Sequence, residues 1–331
     1  MLKQVQHDSL LFGSNALSLL STLLTVTHQS PKKTLIVIAG PTASGKTAVA
    51  INLAQHYKTV ILSADSRQFY REMSIGTAKP GKIEQAAAKH YFIDSHSITE
   101  NFSVGDFEKQ ALALLDELFQ IHDVIILVGG SGLYIKALTD GFDGIPQADP
   151  EIREKLNKEF ASKGIEPLQK KLLEADPDYY NEVDLNNPQR IIRALEVYQT
   201  TGKPFSSYRK AGVNARPFNI LKIALDMPRE VLYHRINQRV NIMIEQGLVA
   251  EARSLIFHRD LNALNTVGYS ELFDHFDDKI NLEKAIDLIK QNTRHFAKRQ
   301  LTWLRRDKEI HWLKPENIRP EVIDGLLLDQ A

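Results

Sequence analysis

Short apolar runs recur along the chain, each closed by a glycine or an acid and followed by a stretch of helical spacing. Leu35-Ile-Val-Ile-Ala39 is the first, and a helix is predicted after it from Thr47 to Tyr57. Thr59–Ser63, Val124–Val128 and Ile220–Asp226 repeat the pattern, and Glu309–Leu313 offers a last strand. The run from Arg229 to Phe257 reads as one helix. Such strands are apolar throughout rather than alternating, which predicts an α/β fold: a parallel sheet covered by helices on both faces. From Gly144 to Arg216 the pattern changes. Helical runs at Glu151–Ser162 and Pro188–Thr200 are punctuated by Pro146, Pro150, Pro167, Pro177 and Pro204, with no clear strand. The expected organisation is therefore a core of residues 31–144 and 217–331, interrupted by a mostly helical insertion, 145–216. Residues 1–30 read as a weakly ordered extension.

The C-terminal helical run is amphipathic. At 100° per residue Leu282, Ile286, Ile289, Phe296, Ala297, Trp303 and Leu304 share an arc of roughly 120°, predicting a core face. Lys290, Arg294, Lys298 and Arg305 fall in a separate arc of roughly 80°. Arg299, Arg306 and Lys308 add positive charge beside it, which favours a footprint for a phosphate backbone over a merely solvated face.

Composition narrows the field. The 331 residues hold 41 basic and 41 acidic side chains, so an anionic partner has to be met by a local patch. The chain has no cysteine, which removes disulfides, thiolate catalysis and thiolate metal sites and suits a cytoplasmic protein. No stretch has the roughly 18 unbroken apolar residues of a membrane span. The 11 histidines form no HExxH-type pair, so no protein-held metal is expected.

The most informative segment is Gly40, Pro41, Thr42, Ala43, Ser44, Gly45, Lys46 and Thr47, a full G-x-x-x-x-G-K-[ST] match between strand and helix. Glycines let successive N–H groups turn toward phosphate oxygens at a helix N-terminus. Lys46 would reach the outer phosphate, and the Thr47 hydroxyl would take a magnesium ion that arrives with it. A nucleotide hydrolase carries a magnesium-holding acid after a neighbouring apolar strand. Here Val124–Val128 runs instead into Gly129-Gly-Ser-Gly132. The acid follows the second strand, in Asp65-Ser-Arg-Gln68. Ligands of parallel sheets sit beyond the carboxyl strand ends, so Asp65, Ser131 and the phosphate loop should meet at one rim. By itself Asp65 reads equally well as a turn or N-cap aspartate; Ser66 and Gln68 beside it are able to read a base edge.

Ten ordered segments carry a resemblance: GPTASGKT, DSRQFY, IGTAKP, HYFID, VGGSGLY, NPQRIIRALEV, TGKPFS, MIEQGLVAE, TVGYSEL and TRHFAKRQLTWLRR. Together, over about Lys33 to Leu313, the chain resembles the tRNA dimethylallyltransferases, also called tRNA isopentenyltransferases, of bacterial type. The resemblance implies transfer of a dimethylallyl group from dimethylallyl diphosphate to N6 of adenine 37 in the tRNA anticodon loop, with Mg2+. It implies Asp65 as general base, with Ser131 beside it. It places Asp65, Ser66, Arg67, Gln68, Ser131, Arg153, Gln189, Arg190, Ile191, Ile192, Arg193, Lys298, Arg299, Gln300, Trp303 and Arg305 at the RNA. Two departures stand out: Ser131 where threonine is commoner, and Arg67 where methionine is commoner. Several residues keep two readings. Arg190 and Arg193 also fit a solvated basic face, Arg193 a phosphate ligand, and Trp303 the core. Arg235 and Arg239, four apart, fit either lid arginines or surface ion pairs. A monomer is expected. The rivals are an adenylate isopentenyltransferase acting on free nucleotides, a P-loop small-molecule kinase, and a P-loop binding module without chemistry.

Overall fold

The computed structural model describes residues 33–141, 145, 149–209 and 215–329; the extension expected at 1–30 lies outside them. Six parallel strands form one sheet. In chain order they are β1 (Thr34–Ala39), β2 (Ile61–Ser63), β3 (His90–Tyr91), β4 (Val124–Gly129), β5 (Asn219–Leu225) and β6 (His311–Leu313). Their spatial order is β3-β2-β4-β1-β5-β6. Central β1 pairs with β4 from Thr34↔Val124 and with β5 from Thr34↔Asn219, and all six of its residues are buried. Leu35, Val37 and Ala39 feed one apolar cluster, whereas Ile36 and Ile38 feed another on the opposite face. An unbroken apolar strand is what two covered faces require.

Helices α1 (Lys46–His56), α2 (Lys82–Ala87), α3 (Val104–Leu118) and α4 (Gly132–Asp140) accompany the first four strands. Between β4 and β5 come α5 (Pro150–Lys163), α6 (Glu166–Ala175), α7 (Pro177–Glu182), α8 (Pro188–Thr201) and α9 (Phe205–Tyr208). The prolines that punctuate this stretch open helices: Pro150, Pro177 and Pro188 stand first in theirs, where a missing N–H costs nothing. Asp149, Asp176 and Asn187 cap these three starts with side-chain oxygens. Leu156, Leu168, Leu172, Ile191 and Leu195 give the stretch an apolar cluster of its own.

After β5 come α10 (Arg229–Glu245), α11 (Leu248–Ser254), α12 (Tyr269–Phe276) and α13 (Leu282–Leu304), with α14 (Pro320–Asp329) following β6. The single helix expected from Arg229 to Phe257 is two. Gly247, at φ 101°, takes the left-handed conformation that ends α10 and starts α11. The two-residue β3 is too short to leave a periodic signal. Strand β6 begins at His311 rather than Glu309, because the Glu309 N–H donates to the Asp307 carboxylate at 2.9 Å in the turn before the strand.

Candidate functional site

The phosphate loop leaves β1 through Gly40 and turns into α1 at Gly45, whose φ of 96° suits glycine. Lys46 bends back, its ammonium donating to the Pro41 carbonyl at 2.7 Å. Burial pulls its pKa down to about 8; Asp65 opposes that shift and Arg239 adds to it. A desolvated cation at the N-terminus of α1 is an electrostatic seat for a phosphate.

The neighbouring strands deliver the other groups. After β2, Asp65 accepts from the Arg67 N–H at 3.0 Å, a turn bond that fixes its carboxylate. After β4, the Ser131 hydroxyl accepts from the Ser66 N–H at 3.1 Å and donates to the Ser66 hydroxyl at 3.3 Å. The strand-end turns are thereby tied together, and the three expected parts meet in one cavity of about 610 Å³. Glycine is required in the second turn by close packing. A Cβ on Gly129 would stand 2.3 Å from the Ala64 carbonyl oxygen, and one on Gly132 would stand 2.2 Å from the Trp303 ring.

The cavity's opposite wall comes from the helices after β5, which the strand-end rule does not reveal. Arg239, Val240 and Met243 of α10, Leu248 of α11, the Asn265–Gly268 loop, and Ile289, Asn292, Thr293, Phe296 and Arg299 of α13 line it. The lining is therefore cationic at the phosphate loop and apolar at Met243, Val267 and Phe296, with the buried Val240, Leu248 and Ile289 packed behind them. Arg239 donates to the Ala78 carbonyl at 3.4 Å. Arg235 approaches the loop itself, Nη1 standing 3.8 Å from where a Gly45 Cβ would be.

One brace has no counterpart in the sequence reading. Glu251 accepts from the N–H groups of Ser74, Ile75 and Gly76 at 2.8–3.1 Å and from the Tyr269 hydroxyl at 2.6 Å. Burial and that carboxylate hold the Tyr269 phenol well above its usual value. The braced Ile75–Ala78 turn in turn receives Gln68, whose amide donates to the Thr77 and Ala78 carbonyls at 3.2 and 3.3 Å. MIEQGLVAE and IGTAKP are thus two halves of one clamp. The signal was present, as a glutamate and a glycine, but nothing in their spacing pairs them.

Several expected RNA contacts are placed elsewhere. Ile191 and Ile192 are fully buried in the core of the α5–α8 helices, so their side chains are packing residues rather than contacts. Gln300 is buried: its amide oxygen accepts from the Thr42 N–H and its amide nitrogen donates to the Gly130 carbonyl, both at 2.9 Å. It braces the phosphate loop against the turn after β4. Trp303 packs into the core cluster beneath Gly132, the second of its two readings. Phe296, expected in the core, is 39% exposed. Lys298, Arg299 and Arg305 occupy exposed positions on or just after α13.

Arg153, Gln189, Arg190 and Arg193 lie on the α5 and α8 helices and not in the cavity lining. Their organiser is Glu196, a buried carboxylate that takes Arg153 at 3.3 Å and Arg193 at 3.2 Å. Arg153 also donates to the Gln189 amide oxygen at 3.2 Å. Arg193 and Glu196 are spaced i, i+3, the one clue the sequence offered.

A phosphate loop whose partner carboxylate comes from the β2 edge of the site, with only glycine and serine after β4, sets the protein apart from nucleotide hydrolases. It is a P-loop α/β enzyme with a carboxylate and apolar side chains in the same cavity as the loop. The chain belongs to the IPP transferase family, whose model matches residues 68–307. It is 55% identical over 290 residues to the tRNA dimethylallyltransferase of Christiangramia forsetii, covering 88% of this chain and 96% of that one. It is 52% identical over 286 residues to that of Cytophaga hutchinsonii, covering 86% and 94%. Among solved structures it is similar to the full-length tRNA isopentenylpyrophosphate transferase of Bacillus halodurans, with a TM-score of 0.67, 37% identity, and 90% and 98% coverage. A eukaryotic dimethylallyltransferase acting on tRNA has a TM-score of 0.74 at 25% identity, covering 90% of this chain and 77% of that one. Among the described residues, no helix is long and apolar enough to cross a membrane.

Proposed function

We propose that this chain transfers the dimethylallyl group of dimethylallyl diphosphate to N6 of adenine 37 in the tRNA anticodon loop. The observation that carries the reading is one cavity holding a phosphate loop, a fixed carboxylate and an apolar wall. The exocyclic nitrogen attacks the allylic carbon, the carbon–oxygen bond to diphosphate breaks, and the amine's proton goes to Asp65. Loop amides, Lys46 and Arg239 stabilise charge that develops on the departing oxygen. Proton removal by a positioned carboxylate contributes roughly 10²–10⁴-fold. Ser131 holds the Ser66 turn, and so the acid, in place.

Magnesium fits as a companion of the diphosphate rather than as a resident ion. The Thr47 hydroxyl, in the cavity lining beside Lys46, would hold it there together with the diphosphate oxygens. Bound there, Mg2+ would supply positive charge to the leaving diphosphate. Residues 145–216 act as a helical insertion on the core of 31–144 and 217–331. Arg153, Gln189, Arg190 and Arg193 of that insertion, with Lys298, Arg299 and Arg305, hold the RNA backbone. The enzyme works as a cytoplasmic monomer.

Incubation with Mg2+, dimethylallyl diphosphate and unmodified tRNA tests the reading directly. Prenylated tRNA is expected. Product on AMP alone would make the chain an adenylate prenyltransferase, and ATP-dependent phosphorylation of a small molecule would make it a kinase.

A further inference from the structure

Hydrogen bonds to a base edge fix a purine within its own plane but leave its tilt free. Tilt is set by contact with the π-face, and single-stranded bases are held that way by aromatic side chains. Base-edge contact is also scarcer here than the sequence suggested. Gln68 already bonds Ser63, Thr77 and Ala78 through its amide, and Gln300 bonds Thr42 and Gly130. A face contact is therefore needed if a flipped adenine is to present N6 to Asp65.

The cavity has one aromatic residue among its described lining: Phe296. Helical periodicity puts this ring on the core side of α13, yet it is 39% exposed, while the next residue, Ala297, is fully buried. Asn292 and Thr293, one turn earlier on α13, line the same cavity, which fixes the ring at its edge rather than on an unrelated surface. The Arg299 guanidinium lies 5.9 Å from the ring centroid and also lines the cavity. An exposed phenyl ring flanked by a cation offers an apolar face to a base and a charge to the adjoining phosphate.

We propose that Phe296 is the stacking platform for the purine that enters the cavity, a positioning contact that sets the tilt of the base over Asp65. This rests on the tRNA reading above. The ring takes no part in the chemistry, and its effect should appear in RNA binding and not in binding of the prenyl donor.

Steady-state kinetics on Phe296→Leu and Phe296→Tyr, together with binding of tRNA carrying 2-aminopurine at position 37, provide the test. Loss of one base–aromatic stack predicts a rise of roughly tenfold in KM for tRNA in the leucine variant. KM for dimethylallyl diphosphate should stay within about twofold, since uniform loss of RNA binding does not touch the donor. The bound 2-aminopurine should be brighter than in the wild type, and Phe296→Tyr should restore both readouts. If the leucine variant melts early, Phe296→Met measured below its melting point carries the same comparison. A rise in KM for the donor with none for tRNA would make the ring a wall for the prenyl tail and overturn the proposal. Unchanged values for both, with unchanged fluorescence, would overturn it as well. A wild-type enzyme that prenylates no tRNA would instead defeat the underlying reading.

Discussion

Replacing Gln300 by methionine isolates the brace between the phosphate loop and the turn after β4. Methionine keeps most of the side-chain volume, so packing changes little, but both 2.9 Å hydrogen bonds are lost. The Gly130 carbonyl is buried, and a buried group stripped of its partner costs about 1–3 kcal/mol. The Thr42 N–H faces the cavity and can find water, so its loss sits near the lower end, about 1 kcal/mol. The sum is about 2–4 kcal/mol. With an unfolding entropy near 2.1 cal/mol/K per residue, a chain of this length should lose about 3–6 °C in Tm. Thr42 is also free to shift, so the phosphate loop loses an anchor next to Lys46. Thermal melts and titration calorimetry with magnesium pyrophosphate read the two effects. Both a lower Tm and a weaker pyrophosphate Kd are expected. A variant with unchanged Tm and Kd, and a raised KM for tRNA alone, would show that Gln300 contacts RNA and braces nothing.

Two further outcomes follow from the site. With Lys46 at about 8 in the free enzyme, its charge is lost as pH rises through that value, well below the 10.5 of an unfolded lysine. Pyrophosphate affinity should fall above pH 8 by up to about tenfold per unit, with proton uptake on binding. Stability should move the other way, rising between about pH 8 and 10.5, because there the unfolded chain holds more protons. Calorimetry in buffers of different ionisation enthalpy measures the uptake; none at pH 9 would contradict the assignment. In Gly76→Ala the new Cβ would stand 2.6 Å from the fully buried Tyr269 ring. The ring cannot retreat, so a loss of about 1–3 kcal/mol is expected in denaturant unfolding. A neutral result would mean that the Ile75–Ala78 turn moves freely of Glu251.

The sequence made the β1–loop–α1 unit legible because strand, glycines and lysine are contiguous. Asp65 and Ser131 were legible because strand ends in a parallel sheet point to one rim. Arg239 was legible as a lid arginine, one of its two readings, but the apolar side of the wall was not, since Met243, Val267 and Phe296 reach the cavity from three separate segments whose packing has no local signature. Buried organisers were missed for a related reason: Glu196 and Glu251 look like ordinary surface acids until arginines or backbone amides surround them. Ile191 and Ile192 show the opposite error, in which a motif located a helix correctly but assigned both of its faces to the RNA. Phe296 marks where periodicity fails: at α13 the apolar arc faces the packed core at Ile289 and Ala297 but a cavity at Phe296.

The central claim is that the carboxylate beside the phosphate loop removes the proton from the acceptor amine. Asp65→Asn preserves shape and the turn bond from the Arg67 N–H while abolishing the base. Single-turnover prenylation of tRNA by this variant, with pyrophosphate affinity measured on the same preparation, is the most direct test. The account predicts near-normal pyrophosphate binding and a rate lowered by roughly 10²–10⁴-fold. A single-turnover rate close to that of the wild type would contradict it.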